Sequence, residues 1–512
     1  MSTYPQHAKL ENSDNPAIHI YGNRIHADQT LYEYINEFLL IFVSAKDEHG
    51  NGKMAFHEKE PIAYYVEPRN GLRRFIFYDN GKKNFKIKED EEAYRDIIDI
   101  LKRNIDARNN AEKNSFIYAI QDLFYGYATV LGKRTWCAQS LLPLCPEMIF
   151  CEEMPNDKER LKGYDNWCRN NPVHADYDKV NTFIDASFDL SRHNFMARGG
   201  ELYYLHIMQI LEKNQENKEK LETLLKLLLT KNSSSFSKLA NWIQSKWEEN
   251  RNIDPAHLVK KMTMGYIPDD SYWHAGTKSV DELINFLNNQ LHPIQKIELL
   301  AKGIVFQILR MQNDQTASFL GKKVPYPIII DMKGNKSSRE IRQISAESFN
   351  TLSDAFYEAI NLDLDIKSES LDDEEKYSLT IKARKESLDV FRKKGKELQF
   401  IIPANGPYER FSLSEDLVTF LVLSIIPSGE KMDLNLFLNK LYEHFSLVIG
   451  PEEYRKAINN NEDLFNKEYF NNLINSFEEN KDAFQSFLKS TGFLRDLSDA
   501  TSIVVNPYKG EL

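Results

Sequence analysis

The chain has 512 residues, 42% of them hydrophobic and 28% charged, and a formal net charge of −11. That length is too great for one ordinary core, and the composition excludes a disordered or fibrous chain. The longest apolar runs, FLLIFV at 38–43 and LVLSII at 421–426, fall far short of the ~18 residues that cross a bilayer, and MSTYPQHAKLENSDNP lacks the profile of a signal peptide, so a cytoplasmic protein without membrane contact is expected.

Taken in order, IHIYG (18–22) reads as a strand. Thr30-x-x-Glu33 is a capping box, and the helix it opens carries Leu31, Tyr34, Ile35, Phe38, Leu39 and Phe42 on one wide stripe. IAYYVEP (62–68) reads as a strand, and LRRFIFY (72–78) and KNFKIK (83–88) read as a hairpin about Asn80-Gly81, a pair that tolerates the positive φ of a type I′ turn. Its register places Arg73, Phe75, Phe77, Lys86 and Lys88 on one face. Seven bases stand against one acid between Arg69 and Lys88, with aromatics interleaved, which makes this face a candidate DNA or RNA surface. The alternative is a hairpin with one face in the core and a solvated basic rim.

From Glu89 to about Gln312 the three-to-four spacing of apolar residues predicts helices almost without interruption. Cys137, Cys145, Cys151 and Cys168 lie inside this stretch without a C-x-x-C pair, so reduced, buried thiols are expected; a zinc site completed by His174 and His193 is the other reading. Arg198, Gly199, Gly200 and Glu201 precede LYYLHIMQIL. The paired glycines suggest a tight turn into a helix whose free N–H groups meet an anion, or else an Arg–Glu pair fastening two core helices.

Farther along, KKVPYPIIIDMKG (322–334) predicts an isolated strand, residues 345–362 a helix, and DLDIKSESLDDEEK (363–376) an exposed loop or linker. A second basic cluster, Lys382, Arg384, Lys385, Arg392, Lys393, Lys394 and Lys396, is either a phosphate track or the solvated face of a charged helix. From Ser414 the order is helix, helix, helix, then two β-rich runs about Ser498-Asp499, which reads as a winged-helix unit. Residues 414–512 carry 9 Lys and Arg against 16 Asp and Glu, net −7. Phosphate would be repelled there, and docking to protein is the expected use. The fold expected is therefore mainly α and multidomain: an N-terminal α+β section (1–88), a helical body (89–360), a charged linker and helix (361–404) and the winged-helix-like unit (405–512).

No Walker A loop, G-x-G-x-x-G, HExxH or G-x-S-x-G pattern is present, so no cofactor and no supported catalytic motif are expected. One alternative is a metal-dependent nuclease: Asp331-Met332-Lys333 after an apolar strand has the form of an (D/E)xK half-site, with Asp269 as a second carboxylate.

The strings YGNRIHADQTLYEYINEFLL, RTWCAQSLLPLC, ARGGELYYLH, FLNKLYEHFSLVIGPEEY and LSDATSIVVNPY together resemble uncharacterised large components of bacterial multi-gene anti-phage islands of the methylation-associated type. The resemblance spans most of the chain and assigns no active residue. It implies a cytoplasmic defence role beside methyltransferases, ATPases or nucleases, with the other subunits of the system as partners.

Overall fold

Local capping decides where several of the described helices begin. Ser414 accepts from the Leu417 N–H, Asp433 accepts from the N–H groups of Asn435 and Leu436, and Asp372 forms a complete capping box with Glu375. The computed structural model describes residues 3–6, 14–22, 25–46, 50–56, 63–66, 69–76, 88–130, 140–149, 198–230, 234–251, 260–268, 273, 275–334, 337–366, 371–461, 470–498 and 501–512. Among them the protein is mainly helical with a few short strands, and no helix is long and apolar enough to cross a membrane. Two compact units share the chain, one made of Met1–Leu31, Leu202–Leu225 and Gly265–Leu512, the other of Tyr32–Glu201 and Lys226–Met264.

The first unit is built on the Pro293–Phe319 helix, which is buried along most of its length. Phe306 packs edge-on to Phe400 and against Phe445, and Phe400 continues to Phe411, Phe349 and Phe391. Gly303 allows the closest approach: a Cβ there would lie 2.2 Å from the Phe420 ring. Ile328–Ile329 is not an isolated strand but pairs in parallel with Leu447–Val448, over a core of Ile341, Ile344, Tyr454, Ile458 and Phe477. After Glu415–Ile425, the chain forms strand Lys431–Asp433, helices Leu434–Phe445, Pro451–Asn460 and Phe470–Ser490, then strands Leu494–Ser498 and Thr501–Val505. The last strand is central, pairing antiparallel with both others.

Two further expectations fail in this unit. IHIYG is helix, Pro16–Tyr21, because Asn15 caps the Ala17 N–H, Pro16 sits in the first turn and Gly22 ends it at φ 91°. Residues 363–376 are only partly a linker: the Arg339–Ile366 helix runs into them and a new helix starts at Asp373.

In the second unit Ala63–Val66 is a strand as expected, paired antiparallel with Lys260–Thr263. The stretch read as the first hairpin strand is helical, Asn70–Ile76, and Lys88 begins the Lys88–Arg103 helix; residues 77–87, including the Asn80-Gly81 turn, lie outside the described residues. The physical reason comes from far along the chain. Gln244 Oε1 accepts from the N–H groups of Gly71 and Leu72 at 3.0 and 3.2 Å, capping that helix, and Gly71 lies so close to Trp247 that a Cβ would fall 2.5 Å from the Trp247 Cβ.

Candidate functional site

Of the residues singled out for nucleic-acid binding, Phe75, Arg384, Arg392, Lys393 and Lys394 are engaged within the protein itself. Phe75 is fully buried, edge-on to Phe124, and cannot stack on a base. Arg73 lies within the Asn70–Ile76 helix and Lys88 opens the next one; Phe77 and Lys86 lie outside the described residues. In the second cluster Arg392 and Lys396 both pair with Glu409, at 2.6 and 2.5 Å, and Lys393 pairs with Asp28. Lys394 is fully buried on Glu397, at 2.7 Å, and Arg384 bonds Tyr357 and lies 3.6 Å from Asp389. Lys382 is half-buried and Lys385 exposed on the same helix. A phosphate track would have to break most of these pairs.

Asp331 is likewise spoken for. Its Oδ1 accepts from the Gly334 N–H at 2.9 Å and from the Ser337 hydroxyl, and its Oδ2 accepts from Arg410 Nε at 2.8 Å, with the carboxylate fully buried. These bonds close the turn after the Ile328–Ile329 strand. Lys333 pairs with Glu479 at 3.4 Å, and Asp269 lies outside the described residues. Among the described residues no three His, Cys, Asp or Glu side chains are grouped to hold a metal ion. Cys145 is a buried free thiol, pushed up to about 12 by burial and by Glu147; Cys137, Cys151, Cys168, His174 and His193 lie outside the described residues.

At Arg198–Glu201 the expected anion is present, and it belongs to the protein. The Glu37 carboxylate accepts from the Arg198 N–H at 2.9 Å and from the Gly200 N–H at 2.7 Å, on the first turn of the Gly199–Leu211 helix. Arg198, at φ 65°, places its guanidinium 3.6 Å from Glu201. Gly200 is held against the Leu31–Val43 helix, where a Cβ would lie 2.1 Å from the Tyr34 carbonyl oxygen.

A buried ion-pair network in the first unit escaped the sequence reading. Glu282, on the Gly276–Leu287 helix, is 1% exposed and accepts from Arg310 at 2.8 Å and Gln307 Nε2 at 2.7 Å, with His444 Nδ1 at 2.7 Å on its other oxygen. Burial alone would raise this carboxyl, but the Arg310 guanidinium, His444 and Gln307 outweigh it and hold it below the usual carboxylate range. Arg310 also bonds Gln307 Oε1 and the Ala275 carbonyl, and stands over the rings of Phe445 and Trp273. Trp273 donates to Asp314 at 2.5 Å, and its ring lies edge-on to the fully buried His206. This network ties the Pro293–Phe319 helix to the Gly276–Leu287 and Leu434–Phe445 helices, so it sets the platform on which the C-terminal helices stand.

Asp314 makes part of that network pH-dependent. Burial pushes its carboxyl up to about 6 despite Arg310 and the Trp273 N–H, so the fold loses stability as pH rises from 3.8 through about 6 and the group ionises. His206 works in the opposite sense: burial holds its imidazole down to about 3, and stability is lost as pH falls below 6.5. Asp314→Asn removes the first effect alone. Urea midpoints are expected to show the variant more stable than the parent by about 2 kcal/mol at pH 8 and no more stable at pH 4. Equal midpoints at pH 8 would show that Asp314 ionises there without cost.

On the surface of the same unit, the Phe470–Ser490 helix buries Leu473, Phe477, Phe484 and Leu488 and turns Glu478, Glu479 and Asp482 to solvent, with Lys489 at its end. No protein-family model matches the chain, and no curated protein or solved structure matches it either.

Proposed function

We propose that the chain is a non-catalytic, cytoplasmic adaptor subunit of a bacterial anti-phage defence assembly, and that residues 405–512 act as an acidic winged-helix unit that docks another protein. The order of helices followed by a hairpin, with Thr501–Val505 central in its sheet, supports a winged-helix reading. The observation that carries the docking reading is the exposed face of the Phe470–Ser490 helix. Glu478, Glu479 and Asp482 stand there, where a DNA-reading helix presents Lys and Arg to phosphate. The internal pairing of Arg392, Lys393, Lys394 and Lys396 supports the same reading, since it removes the largest described basic stretch from competition for nucleic acid.

Duplex binding by the full chain tests it. At about 50 mM salt the expected dissociation constant for a duplex is weaker than ~100 μM. Micromolar binding that falls steeply with added salt would overturn the docking reading.

A further inference from the structure

The Asn110–Tyr125 helix of the second unit is firmly seated. Asn109 caps the Glu112 N–H, Gln121 Nε2 donates to the Phe75 carbonyl and the Tyr94 hydroxyl, and Phe124 lies edge-on to Phe75 and Phe236. Ile117, Ile120, Gln121 and Phe124 form its buried face. Phe116 and Leu123 stand outside that face and are 52% and 41% exposed. Ala119 lies between them and Gly126 caps the helix in αR conformation, both exposed. Positions 116, 119, 123 and 126 are spaced by three and four, which an α-helix gathers on one side within about 80° of arc. Tyr118 and Tyr125, also exposed, lie on the other side of the buried face, where hydroxyls beside the Asp122 carboxylate make an ordinary surface.

Two scattered apolar side chains would need no explanation. What distinguishes the stripe is its relief: Phe116 and Leu123 are knobs, and Ala119 and Gly126 are the gaps that follow them. A Cβ at Gly126 would meet only the carbonyl oxygens of Leu123 and Asp122, so that gap is open. A stripe that carries both knobs and holes is complementary to itself when turned about a two-fold axis. Charge points to the same occupant. The chain carries −11 overall, which keeps copies apart, but residues 108–126 are balanced, with Arg108 and Lys113 against Glu112 and Asp122. None of the four stripe positions is charged, and Glu112, one turn before Phe116, is turned back onto the Arg108 N–H at 3.1 Å. Nucleic acid and anionic membrane both need cations that the stripe lacks. We propose that the Phe116–Gly126 stripe pairs with the same stripe of a second copy of this chain, about a two-fold axis near Ala119. The pairing does not rest on the adaptor reading. One helix pair is a small interface, so a transient, micromolar dimer is expected.

Sedimentation velocity of the full chain over a concentration series tests it. The parent should shift reversibly from one chain to two across the micromolar range. Ala119→Glu and Ala119→Lys each set like charges against each other near the axis and should weaken association about tenfold or more. Mixed in equal amounts, the two variants should associate at least about tenfold more tightly than either alone, because Glu then meets Lys. Mixing would not rescue a variant that had merely lost its fold. Tyr118→Glu, which adds the same charge on the other flank, should dimerise as the parent does. Five results would overturn the proposal: a parent that stays monomeric, growth beyond two chains, an Ala119→Glu variant that associates as the parent does, a mixture no tighter than its components, or association lost in Tyr118→Glu.

Discussion

Replacing Glu282 by alanine is expected to destabilise the protein by about 3–5 kcal/mol, because it strips the carboxylate from a guanidinium that stays buried. The two side chains are 1% and 3% exposed, so water cannot replace the lost partner. Arg310 would keep hydrogen bonds to the Gln307 oxygen at 3.1 Å and the Ala275 carbonyl at 3.3 Å, two aromatic faces and the field of Asp314, but no direct ion pair. His444 would lose its partner in the same step. Removing both charges with Glu282→Ala and Arg310→Met should recover part of the loss, since no ion is then stranded, while Gln307 and His444 still lack the partner they had. Urea denaturation of the two single variants and the double variant reads this directly. A loss under about 1 kcal/mol for Glu282→Ala would mean that the network contributes no more than an exposed pair.

Gly200→Ala is expected to cost about 3 kcal/mol or more, a loss that comes from geometry and not from charge. The new methyl would lie 2.1 Å from the Tyr34 carbonyl oxygen and 2.8 Å from the Phe38 nitrogen. Both are backbone atoms inside a helix, so neither can swing aside as a side-chain end would. Relief requires the two helices to separate, and separation would pull the Glu37 carboxylate from the Arg198 and Gly200 N–H groups. A thermal melt of Gly200→Ala that matches the parent would contradict this close packing.

How much of the protein is legible in its sequence depends on how local the determining contacts are. The helices after Ser414 are legible because their start signals, Ser414, Asp433 and Gly450-Pro451, lie beside the turns they cap. The Pro16–Tyr21 helix had the same signals in Asn15, Pro16 and Gly22, but Ile18 and Ile20 suggested strand alternation. At Asn70–Ile76 no local reading could succeed. Its cap is Gln244, more than 170 positions away, and Phe75, which suggested a strand, is buried edge-on to Phe124.

The candidate sites divide in the same way. The acidic character of residues 414–512 follows from counting charges, and the Gly199-Gly200 helix start follows from its glycines; that the anion there is Glu37 does not, because the partner lies about 160 residues upstream. Asp331 looked available for a metal only while Arg410 and Ser337 were unplaced. The Glu282 centre joins residues 28 and 162 positions apart and leaves only one trace in the sequence. Gln307, Arg310, Asn313 and Gln315 crowd the buried length of the Pro293–Phe319 helix, where polar side chains are retained chiefly when they bond to one another or to neighbouring elements.

The docking reading is tested most directly by co-expressing the full chain with the products of its neighbouring genes and measuring what it retains. The parent is compared with Glu478→Lys, Glu479→Lys and Asp482→Lys combined. All three side chains are exposed, and the Glu479–Lys333 pair that the variant breaks is a surface pair worth about 1 kcal/mol or less, so the variant should stay folded and melt close to the parent. Docking through this face requires that the parent hold at least one neighbouring product with micromolar or tighter affinity and that charge reversal weaken it about tenfold or more. Retention that is equal for parent and variant would contradict it.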